Sequence, residues 1–375
     1  MIELIKRSNC CVCDSGILVP HRTIPDFPIY MGISSLDSTN DLCVDQEWAT
    51  CDTCGTLQLS KLVPFDLLYS TNHHHEVVGP TWIRHHTKFA DFIKIEHNDK
   101  VCEIGSAHDY LAGILLDENP NLDFLSVEPD STKPDPRISH IKGYAEQYLS
   151  EIAAKRVIIH SHVLEHVYSP RKFIESLASA MTRNSVMFVS FPNIEELLIQ
   201  KGTNALNFEH SYFLTPEVFS RIVEGAGLRI VRQEKFEKHS YFVELQKFDN
   251  QASNDNFRSF QETGLFDDLW DDLEDFVEET LKRISTAEIP TYLFGSHIFS
   301  QALFTQGLHR ARILGVLDNA QNKQGSRLYG TTLVTYSPEV IRKLAEVRVI
   351  LRASHYQEEI REQLREINPK VEIIE

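Results

Sequence analysis

Two groups of residues in this sequence have the types and spacing to do chemistry. The first is Glu209-His210, an imidazole beside a carboxylate, in the aromatic stretch Asn207-Phe-Glu-His-Ser-Tyr-Phe-Leu-Thr-Pro216. A histidine oriented by a nearby carboxylate is a suitable general base near neutral pH. The second is a pair of Cys-x-x-Cys knuckles, Cys10/Cys13 and Cys51/Cys54. Four thiolates so spaced can surround one ion tetrahedrally, and with all four positions filled by protein the ion, Zn²⁺, would be structural. Cys11 competes with Cys10 but lacks the two-residue spacing to Cys13, and Cys43 and Cys102 read as ordinary core residues.

The elements that must position these groups follow from the apolar pattern. Val101–Ile104 breaks at Gly105, and Tyr110, Leu111, Ile114 and Leu115 then fall on one helical face, giving strand, turn and helix. Such a turn leaves backbone N–H groups free for a polar ligand, and Gly105 lets it approach without meeting a Cβ. Phe124–Val127 reads as a second strand with Glu128 at its tip, where a carboxylate can accept from both ribose hydroxyls. Val157–Ile159, a helix ending at Met181, and Val186–Ser190 continue the alternation. The expected fold is therefore α/β, a parallel, doubly wound sheet with its ligand at the carboxyl ends of the strands, where Gly105, Glu128 and His160 to His166 converge. Thr215 and Pro216 cap and start a later helix, which places Glu209-His210 on the loop before it, on the ligand side.

Composition narrows the class. At 375 residues the chain fits two or three domains, and 42% hydrophobic residues suffice for real cores. A formal net charge of −17 argues against nucleic acid and anionic membrane partners. Met1 to Arg7 leads into cysteines rather than an apolar segment, so a cytoplasmic protein with its seven cysteines reduced is expected. Polar, Pro-containing sequence between the knuckles reads as an insert able to cover a neighbouring site. His73–His75 reads either as a loop entering the site or as a plain surface loop, and His85 and His86 as satisfied structural residues on a helix. After Asp249, the acidic stretch from Phe266 to Leu281 carries Phe, Leu, Trp and Val at helical spacing and reads as a solvated helix joining domains. Thr291–Gln301 then repeats the strand-turn-helix plan, and Ile313–Asp318 and Val347–Leu351 supply further strands. The Gly295 turn could receive a diphosphate or merely join strand to helix; no hydride-transfer role is expected, because the fuller glycine fingerprint is missing.

The Glu103-x-Gly105 turn, the acid Glu128, Gly143-Tyr-Ala-Glu146 and Ser161-His-Val-Leu-Glu-His-Val167 together resemble a class I S-adenosylmethionine-dependent methyltransferase. With the cysteine knuckles before it, Glu209-His-x-Tyr-Phe late in the fold and a third, Gly-turn region after it, the chain resembles the C-methyltransferases that act on nucleotide-linked ketosugars. The resemblance implies a zinc-binding N-terminal module (1–68), a Rossmann-like methyltransferase domain (69–248), and an acidic helical linker with a smaller Rossmann-like domain (249–375). It implies S-adenosylmethionine held by Glu103, Gly105, Ser106, Glu128, Pro129, Ala145, Glu146 and His160. It also implies methyl transfer to a carbon beside a keto group of a carrier-linked sugar, with His210 as base, Glu209 beside it, and His166, Tyr69 and Tyr212 at the substrate, in a monomer or small homo-oligomer. Departures fall at Ala107 and Asp109, where further glycines usually stand, at Asn207 in place of a tyrosine, and at Ser70–His75. An oxygen acceptor, or a nucleoside-binding module without turnover, is the alternative.

Overall fold

A computed structural model describes residues 2–14, 16–69, 80–106, 108–129, 135–248, 262–285, 288–353 and 357–375. The N-terminal segment forms an antiparallel sheet of β1 (Leu18–Pro28), β2 (Cys43–Cys51) and β3 (Leu57–Leu59), with β2 central. The middle of the chain alternates α1 (Pro80–Phe92), β4 (Lys100–Ile104), α2 (Tyr110–Glu118), β5 (Asp123–Val127), β6 (Ser139–Ile141), β7 (Val157–Ser161), α3 (Pro170–Ala180) and β8 (Val186–Pro192). It closes with α4 (Pro216–Gly225), β9 (Leu228–Phe236) and β10 (Ser240–Lys247). The sheet order is β9-β10-β8-β7-β4-β5-β6. From β8 to β6 every pairing is parallel, as the sequence pattern requires; β10 alone runs against its neighbours, because a hairpin at His239 returns it between β8 and β9. This is the expected Rossmann-like α/β plan with a mixed edge.

Both faces of this sheet are buried. Cys102, Ile104, Ile158 and Met187 point into one core with Phe173, Leu177 and Phe219; Val101, Val157, Ile159 and Phe188 point into another with Phe89, Leu111 and Leu115. Burial on both sides is why these strands read as unbroken apolar runs.

A third core gathers on the apolar stripe of the acidic helix. Helix α5 (Glu262–Ile284) buries Phe266, Leu269, Trp270, Leu273 and Val277 against Trp48, Phe213 and the C-terminal strands. Trp48 and Phe213 lie 5.3 and 5.8 Å from the Phe266 ring. The opposite, acidic face is solvated, and there Asp267 and Asp271 meet His21 and Arg22. Cys43 also departs from expectation, being exposed at the start of β2, whereas Cys102 is core. The insert between the knuckles docks on the C-terminal part, Ile33–Ser34 pairing with Arg327–Leu328 and Arg327 forming an ion pair with Asp41.

That C-terminal part is a sheet of β11 (Thr291–Phe294), β12 (Val316–Leu317), β13 (Thr335–Tyr336), β14 (Val347–Ile350) and β15 (Val371–Ile374), in the order β13-β12-β11-β14-β15. Gly295 takes φ +96°, and the next N–H, of Ser296, donates to Asp318 at 2.8 Å. The turn is thus satisfied by the chain's own carboxylate, which favours joining strand to helix over receiving a diphosphate. Among the described residues no helix is long and apolar enough to cross a membrane.

Candidate active site

The carboxyl ends of β4, β5 and β7 meet at one edge. Gly105 N–H donates to Val127 O at 3.0 Å, which sets the Gly105 turn beside Glu128. Gly105 has φ +81°, and a Cβ there would lie 2.3 Å from Val163 Cγ2. The glycine is therefore demanded by the turn and by Val163, where the sequence suggested a ligand. Asp109 adopts φ +50°, the left-handed conformation that a glycine usually supplies. It is held there by its own contacts: its carboxylate accepts from Asp135 N–H at 2.9 Å and from Ser106 Oγ at 3.2 Å. Ala107 lies outside the described residues.

Glu103 is 4% exposed at the end of β4, and its Oε2 has no hydrogen-bond partner among the described residues. Burial raises its carboxyl to about 8. Such a group stays uncharged or awaits a cation. Glu128 and Pro129 are half-buried at the tip of β5, Ala145 is buried and Glu146 exposed. His160 does not join them. It points into the core on the Ile158 face, edge-on to Phe173 with ring centroids 5.8 Å apart and no exposure, and burial lowers it to about 3.

Beside this edge stands a second cluster. Ring nitrogens of His166 and His210 and a carboxylate oxygen of Glu165 lie within 4.8 Å of one another, with the imidazole centroids 4.9 Å apart. Tyr69 hydroxyl hydrogen-bonds with His166 Nδ1 at 2.9 Å, and Glu209 Oε2 approaches the same nitrogen at 3.6 Å. Glu209 thus faces His166, whereas Glu165, which the sequence reading passed over, lies within 4.8 Å of the ring nitrogens of both His166 and His210. A helical turn, Leu164–His166, places Glu165 and His166, and that is what adjacency along the chain could not reveal. Burial lowers His166 to about 4 and holds His210 below the ordinary imidazole value, with Glu165 partly offsetting it. Burial raises Glu209 to about 7. Both imidazoles are therefore neutral near pH 7, in the form that accepts a proton.

Tyr212, expected at the substrate, is 1% exposed and its hydroxyl donates to Leu164 O at 2.7 Å. Its role is to tie the 164–166 turn to the His210 loop. That loop also adds to the N-terminal sheet: Leu59 N–H donates to Ser211 O and Phe213 N–H to Leu57 O, while Arg7 bridges Ser211 Oγ, Leu59 O and Tyr168 O. Asn207 Oδ1 accepts from His210 N–H at 2.7 Å and so fixes the backbone at His210. His73–His75 lie outside the described residues.

Cys10, Cys13, Cys51 and Cys54 converge with all four Sγ atoms within 4.8 Å of one another. The Sγ separations are 3.4 Å for Cys10–Cys54 and 3.6 Å for Cys13–Cys51, close to the roughly 3.8 Å edge of a zinc-thiolate tetrahedron. Val12 and Cys54 N–H groups point at Cys10 and Cys51 sulfurs. Gln58 Nε2 donates to Cys10 Sγ while Gln58 pairs in β-bridge fashion with Tyr212, so the cysteine cluster is two residues removed from the His210 loop.

Residues 76–233 match a family model described as a methyltransferase domain. A search of curated proteins returns no match. Among solved structures, mitomycin 7-O-methyltransferase MmcR is 16% identical with a TM-score of 0.35, over 44% of this chain and 53% of its own. An S-adenosylmethionine-dependent methyltransferase from Mesorhizobium loti is 8% identical with a TM-score of 0.38, over 45% of this chain and 98% of its own. Human N-acetylserotonin methyltransferase is 12% identical with a TM-score of 0.37, over 45% and 53%. The chain thus spans about half the length of two of these three.

Proposed function

We propose that this protein transfers the methyl group of S-adenosylmethionine to a carbon beside the keto group of a nucleotide- or carrier-linked sugar, with His210 as general base. The observation that carries the reading is the placement of a neutral, carboxylate-flanked imidazole pair at the strand ends that also carry the Gly105 turn and Glu128.

The residues present fit the cofactor. Glu103 Oε2, buried and without a partner among the described residues, suits the ammonium of the methionine part. Glu128 suits the ribose hydroxyls, and the Gly105–Ser106 turn the methionine end. When bound, the sulfonium supplies an electrophilic methyl group. The chain's own work is to align the acceptor and to manage one proton. His210 takes the proton from the carbon beside the carbonyl, and Glu165 stabilises the imidazolium that results. In the tautomer in which Tyr69 O–H donates to His166 Nδ1, the His166 proton is on Nε2, from which it can donate to the enolate oxygen. The four cysteines suit a structural Zn²⁺ that stiffens the sheet against which the His210 loop is paired.

The test is incubation with methyl-labelled S-adenosylmethionine and a panel of nucleotide-linked ketosugars, followed by mass analysis of the products. Label on carbon is expected. Label on oxygen would overturn the acceptor assignment, and absence of S-adenosylhomocysteine with every acceptor would overturn the enzyme.

A further inference from the structure

We propose that His85, His162 and His239 form a binding site for a divalent transition cation of the zinc class. The three come from distant parts of the chain: His85 from α1, His162 from the residue after β7, and His239 from the hairpin between β9 and β10. Their ring centroids form a nearly equilateral triangle, 5.1 Å for His85–His162 and 5.5 Å for each of the other two sides. One ring nitrogen from each lies within 4.8 Å of the others. Three imidazoles bound to one ion at about 2.1 Å in tetrahedral directions set their centroids roughly 5 Å apart and their ligating nitrogens roughly 3.4 Å apart, so the rings stand at the spacing of a ligand set and binding would draw the nitrogens inward.

Three further observations single the cluster out from stacked core histidines. His85 is 0% exposed, yet its Nδ1 has no hydrogen-bond partner among the described residues, an arrangement that costs stability unless something answers the nitrogen. The hydroxyls of Ser190 and Ser240 sit against the other ring nitrogens: Ser190 Oγ is 2.8 Å from His85 Nε2, and Ser240 Oγ lies between His162 Nε2 at 2.9 Å and His239 Nδ1 at 2.6 Å. Finally, Glu165 Oε1 lies 3.0 Å from His162 Nδ1, and neither oxygen of this buried carboxylate has an aligned hydrogen-bond partner among the described residues. A carboxylate beside one ring nitrogen is a partner that orients metal-bound histidine; the other nitrogen of His162, Nε2, meets Ser240 Oγ in this structure, so binding would exchange that hydrogen bond for the ion. His162 is held at φ +54° to reach this position, a conformation that a β-carbon disfavours. Trp82 walls the site, its ring centroid 4.7 to 5.2 Å from those of the three histidines.

Neutral imidazoles select zinc, copper, nickel, cobalt or ferrous ions over calcium and magnesium. Three protein ligands leave a coordination position open, as in sites that bind a water or substrate oxygen. None of the three histidines is used in the methyl-transfer reading; Glu165 is the one residue that the two sites share.

The experiment is Co²⁺ titration of the chelator-stripped full chain, followed by absorption and by metal content per chain. Expected in the wild type is a second ion beside the thiolate-bound one, which adds no thiolate-to-metal band, persists in Cys13→Ser and binds at least about tenfold more weakly in His239→Gln. His239 lies at a hairpin turn, so that variant carries the test should the fully buried His85→Gln fail to fold. Either the absence of any sulfur-free ion in the wild-type chain, or its retention at unchanged affinity in a folded His239→Gln, would overturn the site.

Discussion

Glu209 turns its carboxylate to Nδ1 of His166, 3.6 Å away, and not to His210, the residue that follows it in sequence. The pairing is crossed electrostatically, because the carboxylate that raises His210 is Glu165, within 4.8 Å of the ring nitrogens of both His166 and His210. His210→Asn is accordingly expected to lower kcat by about 10²- to 10⁴-fold with cofactor affinity unchanged. Steady-state kinetics and equilibrium binding of the cofactor check this, and unaltered turnover would remove His210 from the mechanism.

The crossed pairing also separates the two carboxylates by pH. Burial holds His210 below its ordinary value of 6.5, and the neutral form is the base, so the rate should be flat above that pH and fall as pH drops through the folded value. Glu165 raises that value, so Glu165→Gln should move the acid limb to lower pH, whereas Glu209→Gln should leave it in place. A kcat/KM profile from pH 5 to 8 reads both shifts; a limb that follows Glu209 would reverse the assignment.

Glu103 predicts a stability slope. Its folded-state value of about 8 lies above the ordinary 4.5, so the folded chain binds more protons than the unfolded chain between these values, and stability falls as pH rises through that window. Glu103→Gln should remove this slope. Its urea midpoint should exceed that of the wild type at pH 8 by more than at pH 5, measured without cofactor, and equal differences at the two pH values would count against the buried acid.

Cys13→Ser should lose the structural ion and, with it, order in the sheet that holds the His210 loop through Gln58 and Tyr212. Zinc content near zero, a lowered melting temperature and slower turnover are expected together. A metal-free variant as stable and active as the wild type would refute the zinc assignment.

At Gly105 the left-handed φ and the approach of Val163 should be separable. Gly105→Ala is expected to destabilise by about 2–4 kcal/mol, from the backbone penalty and the overlap with Val163 Cγ2. Adding Val163→Ala should recover the overlap part only. Denaturant unfolding of the two variants checks this, and full recovery would mean that φ contributes nothing.

The sequence by itself determined the central sheet, since strands buried on both faces must be apolar throughout and their helices must carry one apolar face: Val101–Ile104, Phe124–Val127, Val157–Ile159 and Val186–Ser190 all fall within observed strands. It also determined the start of the helix after His210, because Thr215 and Pro216 satisfy local backbone requirements, and Thr215 Oγ1 does accept from Val218 N–H. Cysteine spacing likewise brought four thiols together. Tertiary structure alone decided which carboxylate serves which imidazole, that Tyr212 spends its hydroxyl on Leu164, that the acidic helix belongs to a core, and that His85, His162 and His239 converge. Each of those is a contact between residues far apart in sequence or in different turns, and periodicity reports only which face of its own element a residue occupies, not what packs against that face.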